Sequence, residues 1–193
     1  GCIGLEDRAR APRQLSGKTL GVIGCGRVGR MVARYGSAFS MRVLAYDVRR
    51  LDEPGVEQTD LETLLAQSDV ISLHLPGNRE TRGIVTADDL ARMKPTALLV
   101  NTSRAPIIAE GALVAALHKG RPGFAAVDVY EEEPVVGAKH PLLQMSNVLC
   151  TPHLGYAERD SYEALYTLAV DQLLAFAEGK PINVANPEAV GKR

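Results

Sequence analysis

The 193-residue chain contains no tryptophan, and aromatic residues make up only 5% of it. It has three cysteines, Cys2, Cys25 and Cys150, an odd number with no CxxC pair. That count excludes a disulfide framework and the usual zinc-ligand spacing, so no metal site is expected. A reducing cytoplasmic setting fits it best. There is no excess of basic charge: the formal net charge is −1, which argues against a nucleic-acid partner. No apolar run approaches the roughly 18 residues that a membrane span needs. The opening residues also lack the basic-then-apolar order of a secretory signal. What remains is an ordinary globular composition, 46% hydrophobic and 23% charged.

Residues 1–14 are polar and arginine-rich, and are expected to form a tail or linker. From there to about residue 180, short apolar runs alternate with stretches of helical spacing. The runs Thr19–Ile23, Arg42–Tyr46, Val70–Leu73, Ala97–Val100, Phe124–Val127 and Val148–Cys150 read as six buried strands. Between them lie helical patterns over Val28–Phe39, after Asp60, after Thr86, and over Ala109–His118, with Glu158–Glu178 last. Asp60 and Thr86 are the predicted N-caps, and Gly120 is a predicted helix stop. Strands alternating with helices predict an α/β fold with a doubly wound parallel sheet of the Rossmann type. Residues 181–193 are expected to run on as a C-terminal tail.

The first strand leads into Gly24-Cys25-Gly26-Arg27-Val28-Gly29, a GxGxxG pattern that opens a helix. Asp47 ends the second strand, 18 residues past Gly29. In that context the pattern is a dinucleotide-binding fingerprint. Gly24 would permit the tight turn, Gly26 would let the backbone approach a pyrophosphate, and Gly29 would let the helix pack close to the strand. Arg27 stands at the helix start, where phosphates would lie against unpaired N–H groups. Asp47 would accept hydrogen bonds from ribose hydroxyls and repel a 2′-phosphate, which favours NAD as cofactor. Arg49 and Arg50 follow closely enough to soften that preference.

Three later segments also stand at the carboxyl ends of predicted strands, where ligands bind in open α/β sheets. They are Asn101-Thr102-Ser103-Arg104, Asp128-Val129-Tyr130-Glu131-Glu132-Glu133-Pro134 and Thr151-Pro152-His153-Leu154-Gly155. Together they bring a guanidinium, a carboxylate and an imidazole to one sheet edge. Spacing alone does not choose among Glu131, Glu132 and Glu133.

With these motifs, and with His74-Leu75-Pro76 followed by Thr81, the chain resembles the D-isomer-specific 2-hydroxyacid dehydrogenases over about residues 15–187. The resemblance implies hydride transfer between NAD and C2 of a D-2-hydroxy acid. It implies Arg104, Glu133 and His153 as catalytic residues. His153 would be the proton carrier, Glu133 the carboxylate on its other ring nitrogen, and Arg104 the grip on the substrate. It implies cofactor contacts from Gly24, Gly26, Arg27, Val28, Gly29, Asp47, Leu75, Pro76, Thr81, Thr102, Ser103, Arg104, Asp128, His153 and Gly155. His74 receives no catalytic role, and His118 and His140 read as surface residues.

The resemblance also implies a small 2-hydroxy or 2-oxo acid as substrate and a homodimer. Met31, Tyr35 and Phe39 on the first helix either contribute to that dimer or face the sheet. Family members carry a substrate domain ahead of this one, and the sequence predicts that the chain lacks it. Residues 181–193 would be the return to that domain. Ala105 and Pro106 depart from the family's usual glycine after the motif arginine. The alternative function is an NAD-sensing dehydrogenase-like corepressor; a third reading is the cofactor half of a homocysteine-cleaving hydrolase, against which the run Pro152–Gly155 argues.

Overall fold

The computed structural model describes residues 14–189. Cys2 and, but for Gln14, the expected N-terminal tail lie outside them, as do the last four residues of the C-terminal tail. The described chain divides into two compact units, one ending at Pro152 and one starting at His153.

In the first unit the elements alternate as the pattern predicts. Strand β1 (Thr19–Ile23) leads to α1 (Arg27–Ala38) and β2 (Arg42–Tyr46). Then come β3 (Val56–Gln58), α2 (Leu61–Gln67) and β4 (Val70–Leu73). Next are α3 (Ala87–Arg92), β5 (Leu98–Asn101), α4 (Ala112–His118), β6 (Phe124–Val127) and β7 (Val148–Cys150). All pairings are parallel, in the order β3-β2-β1-β4-β5-β6-β7. The sheet has seven strands among the described residues, one more than the sequence predicts. The addition is β3, a three-residue edge strand that pairs Val43 with Val56. Its sequence, Val-Glu-Gln, is too short and polar to register as an apolar run. The order reverses between β1 and β4, which makes the carboxyl ends of those two strands the switch point where ligands bind.

Alternate residues of each strand feed opposite faces. Leu20, Val22, Val43 and Ala45 enter one buried cluster, while Ile23, Leu44, Ile71 and Leu99 enter another. The helix ends follow the predicted capping chemistry. The Asp60 carboxylate accepts the Thr63 N–H at 2.7 Å. Thr86 and Asp89 cap each other's backbone in a reciprocal box at the start of α3. Gly120 takes the left-handed conformation just past α4.

Helix α1 turns a different face to the sheet than large apolar residues would suggest. Its buried residues are Gly29, Ala33 and Gly36. A Cβ on Gly36 would stand 2.5 Å from the Leu20 side chain, so the helix lies too close to the sheet for anything larger. Val28, Met31, Tyr35 and Phe39 are all exposed, Tyr35 and Phe39 at 59%. The reading in which Met31, Tyr35 and Phe39 face the sheet is therefore wrong.

The second unit contains one long helix, α5 (Arg159–Ala177), with Gly179 in the left-handed region just beyond it. None of its residues is buried. No helix among the described residues is long and apolar enough to cross a membrane.

Candidate coenzyme and active site

The glycine loop is built as its sequence requires. Gly24 has φ +88°, and a Cβ there would strike the His74 backbone at 2.9 Å. A Cβ on Gly29 would come within 2.2 Å of the Gly24 carbonyl oxygen, so a helix residue and the turn before it share space that only glycine leaves. Gly26 differs from both. A Cβ on it would meet nothing within 4 Å, so its backbone borders open space. It is also the N-cap of α1 and brings no side-chain cap to the helix, whose first turn contains no acid. The N–H groups at this helix start are thus left for an external anion. Arg27 and Val28, the first two residues of α1, are exposed beside it.

Asp47 follows β2 as predicted, with its side chain only 7% exposed. One carboxylate oxygen accepts the Cys25 N–H at 2.9 Å. The other accepts the Arg49 backbone N–H at 3.0 Å and Nε at 3.2 Å. Burial pushes this carboxyl up, but the hydrogen bonds from Arg49 and Cys25 outweigh it and hold the group below its ordinary value. An ionised acid therefore sits next to the glycine loop, with lone pairs left for hydroxyl donors. Gly26, the open helix start and Asp47 together fit the pyrophosphate and ribose of a dinucleotide.

The loop after β4 is tied to the loop after β5. Ser103 Oγ donates to the Leu75 carbonyl at 2.6 Å, and the Ser103 N–H donates to Asn101 Oδ1 at 3.0 Å. Thr81 is nearly buried, and its hydroxyl donates to the Pro76 carbonyl and accepts the Asn78 N–H at 3.1 Å. Its hydroxyl therefore closes the 76–81 turn, so any role it has toward a ligand is first one of shaping this loop. His74 is held inside the strand end. Its Nε2 lies 2.9 Å from Ser72 Oγ, and burial pushes its imidazole below the ordinary value, towards the neutral form.

Arg104 is exposed, with Nη1 donating to the Ser103 carbonyl at 2.6 Å. The buried Asn101 amide holds the Arg104 carbonyl at 3.0 Å. A Cβ on Gly77 would lie 2.6 Å from Arg104 Cγ, so the arginine's stem crosses over that glycine. Gly77 is not among the expected site residues; its signal is a glycine directly after Leu75-Pro76 in the loop that follows β4. The backbone after Arg104 accommodates Ala105-Pro106. Ala105–Ile107 forms a short 3-10 turn with Pro106 as its second residue, where no N–H is required. Thr102 lies exposed between β5 and Ser103.

After β6, Asp128 is 3% exposed and accepts a short hydrogen bond from the Thr151 hydroxyl. The Tyr130 hydroxyl donates to the Thr151 carbonyl at 3.0 Å. Burial, the Cys150 thiol and the nearby Asp128 and Glu133 carboxylates push the Tyr130 phenol far up, so it stays protonated as this donor. Tyr130 thus fastens the end of β7, a part its position in the motif alone does not reveal.

The three glutamates part company here. Glu131 pairs with His140 Nε2 at 2.9 Å, while Glu133 accepts the Tyr130 N–H at 2.8 Å. His140 is correspondingly no plain surface residue: its side chain is 16% exposed and its ring meets Tyr130 edge-on. Cys25 is buried, whereas Cys150 is only half-buried.

In the second unit His153 takes φ +55°, in the left-handed region uncommon outside glycine. Its ring meets Tyr156 edge-on at 5.6 Å between centroids. Leu154 and Gly155 follow it in an exposed turn. Among the described residues no group of three or more His, Cys, Asp or Glu is arranged to hold a metal ion.

Residues 4–155 match the family model described as D-isomer specific 2-hydroxyacid dehydrogenase, NAD binding domain. A glyoxylate reductase of Aeropyrum pernix is 44% identical over 93% of this chain and 55% of its own length. A hydroxypyruvate reductase of Blautia hydrogenotrophica is 41% identical over 90% of this chain and 54% of its own. Among solved structures, an oxidoreductase of Ralstonia solanacearum superposes with a TM-score of 0.87 at 48% identity, over 93% of this chain and 54% of that one. The chain thus spans about half the length of the relatives it matches.

Proposed function

Because this chain belongs to the D-isomer-specific 2-hydroxyacid dehydrogenases, as their NAD-binding domain, we propose that the protein interconverts a small 2-oxo acid and its D-2-hydroxy acid. Glyoxylate and hydroxypyruvate, named for its relatives, are the first candidates. One observation carries the reading. An open helix start at Gly26 and an ionised Asp47 stand at the carboxyl ends of β1 and β2, with Arg104 and Glu133 on the loops after β5 and β6. All of these strands are parallel, so the two sets share one sheet edge.

NAD, when bound, supplies the hydride acceptor or donor. The protein's residues do the rest. The α1 start, with Arg27 and Val28 behind Gly24, Gly26 and Gly29, holds the pyrophosphate. Asp47 holds the ribose. Leu75, Pro76, Thr81, Thr102, Ser103 and Asp128 shape the remainder of the coenzyme site. Arg104 grips the carboxylate or carbonyl oxygen of the substrate with a planar fork and stabilises charge that develops there. His153 takes the hydroxyl proton in oxidation and returns it in reduction, work suited to an imidazole, whose ring nitrogens can each accept or donate a proton. Glu133, on the loop after β6, is the third residue assigned to catalysis. The exposed Met31, Tyr35 and Phe39 on α1 support a homodimer, since apolar patches on a helix mark association surfaces. A cytoplasmic, reducing setting suits the free, buried Cys25.

The test is NADH oxidation by the full-length protein with a panel of 2-oxo acids. His153→Ala should lower kcat by about 10²–10⁴-fold, the usual worth of a proton-transfer group. It should leave the Kd for NADH within about twofold, because binding rests on other loops. Unchanged turnover in His153→Ala, or no turnover with any 2-oxo acid, refutes the reading.

A further inference from the structure

Asp47 does not stand alone at the ribose end of the site. The turn that follows it is held by one side chain from the edge strand. Gln58 Nε2 donates to the Asp47 carbonyl at 3.1 Å and to the Arg49 carbonyl at 2.8 Å. Gln58 Oε1 accepts the Leu51 N–H at 2.9 Å. Both ends of one amide therefore grip three residues of the same turn, which is more than a solvated edge residue requires. Further along, Glu53 is clamped by Arg34 at 2.7 Å and reached by Arg30 at 3.8 Å, both on α1, while Leu51 packs against the buried cluster around Leu20.

This frame fixes the Arg49 backbone on both sides. Its carbonyl is held by Gln58 and its N–H by Asp47. The Arg49 side chain is the one loose part: it is 71% exposed, yet Nε rests on Asp47. A guanidinium has five N–H donors, and the terminal Nη groups are left for another acceptor.

Resting on the assignment of Asp47 to the ribose, we propose that Gln58 is a positioning residue for coenzyme choice. By clamping the 47–51 turn it keeps Arg49 seated on Asp47, so the site accepts the 2′-phosphate of NADP(H) as well as the hydroxyls of NAD(H). A bare carboxylate would repel that phosphate. A carboxylate already carrying a guanidinium presents a nearly neutral pair, and the guanidinium can turn its free donors to a phosphate oxygen. Asp47 alone, read from the sequence, points to NAD; the clamp widens that preference.

Calorimetric titration of NADH and NADPH into the purified protein tests this without turnover. The unsubstituted protein should bind both, with Kd values within about tenfold of each other. Arg49→Ala should raise the ratio of NADPH to NADH Kd by about tenfold, the worth of one charge-assisted hydrogen bond. Gln58→Leu should move the ratio the same way by severalfold, and the double variant should go no further than Arg49→Ala, since both act through one contact. A ratio unmoved by Arg49→Ala overturns the proposal, and because that side chain is exposed this arm does not depend on the fold of Gln58→Leu. Additive effects of the two changes also overturn it. If the unsubstituted protein binds neither coenzyme, the assignment of Asp47 falls and the clamp falls with it.

Discussion

Gly26 and Gly29 are three residues apart in one motif, yet the structure gives them different reasons to be glycine. Gly29 is a packing glycine, because a methyl group would overlap the Gly24 carbonyl oxygen at 2.2 Å. Gly26 has room for a methyl group and a negative φ of −74°. Its need for glycine comes from what must approach the loop. Gly29→Ala should therefore lower stability by about 1–3 kcal/mol, as overpacked cores do, and weaken NADH binding with it. Gly26→Ala should leave thermal stability nearly unchanged and weaken NADH binding alone. Thermal melts beside calorimetry on both variants check this; a Gly26→Ala protein that melts early but binds normally would reverse the assignment. At this scale the sequence was most informative where a motif fixes short-range geometry, as in the loop from Gly24 to Gly29. It was silent on Gln58, Gly77 and Tyr130. Their partners lie on other loops, and nothing in the local pattern announces a contact such as Gly77 beneath Arg104.

Helix α1 shows what periodicity can and cannot decide about an element. The spacing of apolar residues identified the helix within one residue at each end. It did not identify the inward face, because close approach to a sheet selects small residues with a weak hydrophobic signal. Gly29, Ala33 and Gly36 made that face, and the larger Met31, Tyr35 and Phe39 were left outside. The short edge strand β3 escaped notice for a related reason, since three residues, one half-buried and two exposed, carry little pattern. The outward position of the large side chains yields a prediction. Tyr35→Glu should leave the melting temperature of the protomer fold little changed, because a surface substitution on a helix costs within about 0.5 kcal/mol. It should shift the full-length protein from dimer to monomer in light scattering. A Tyr35→Glu protein that stays dimeric places the contact elsewhere.

The topology of the whole sheet was legible because alternation of buried strands and helices leaves few ways to connect them. The tie between the loops after β4 and β5, from Ser103 to the Leu75 carbonyl, was not legible, because its partners lie 28 residues apart. Acid stability is a property of the molecule at this scale, and its sign follows from groups held on different elements. His74 is pushed below the ordinary histidine value by burial at the end of β4. In the unfolded chain it gains its proton near pH 6.5. Between that value and its lower folded one, the unfolded state binds more protons, so stability falls as pH drops. Asp47 and Asp69 are also held below their ordinary values. Burial pushes Asp69 up, but the Thr19 N–H at 2.9 Å and Lys94 at 2.9 Å outweigh it. Their contribution is present above the ordinary carboxylate range, near pH 4, and is lost as pH falls through their folded values. The melting temperature should therefore decline in two stages, a shallow one below about pH 6.5 and a steeper one below about pH 4. His74→Gln removes the titrating ring and keeps a polar side chain beside Ser72, so it should flatten the first stage and leave the second. A first stage of equal depth in His74→Gln would mean that another group supplies it.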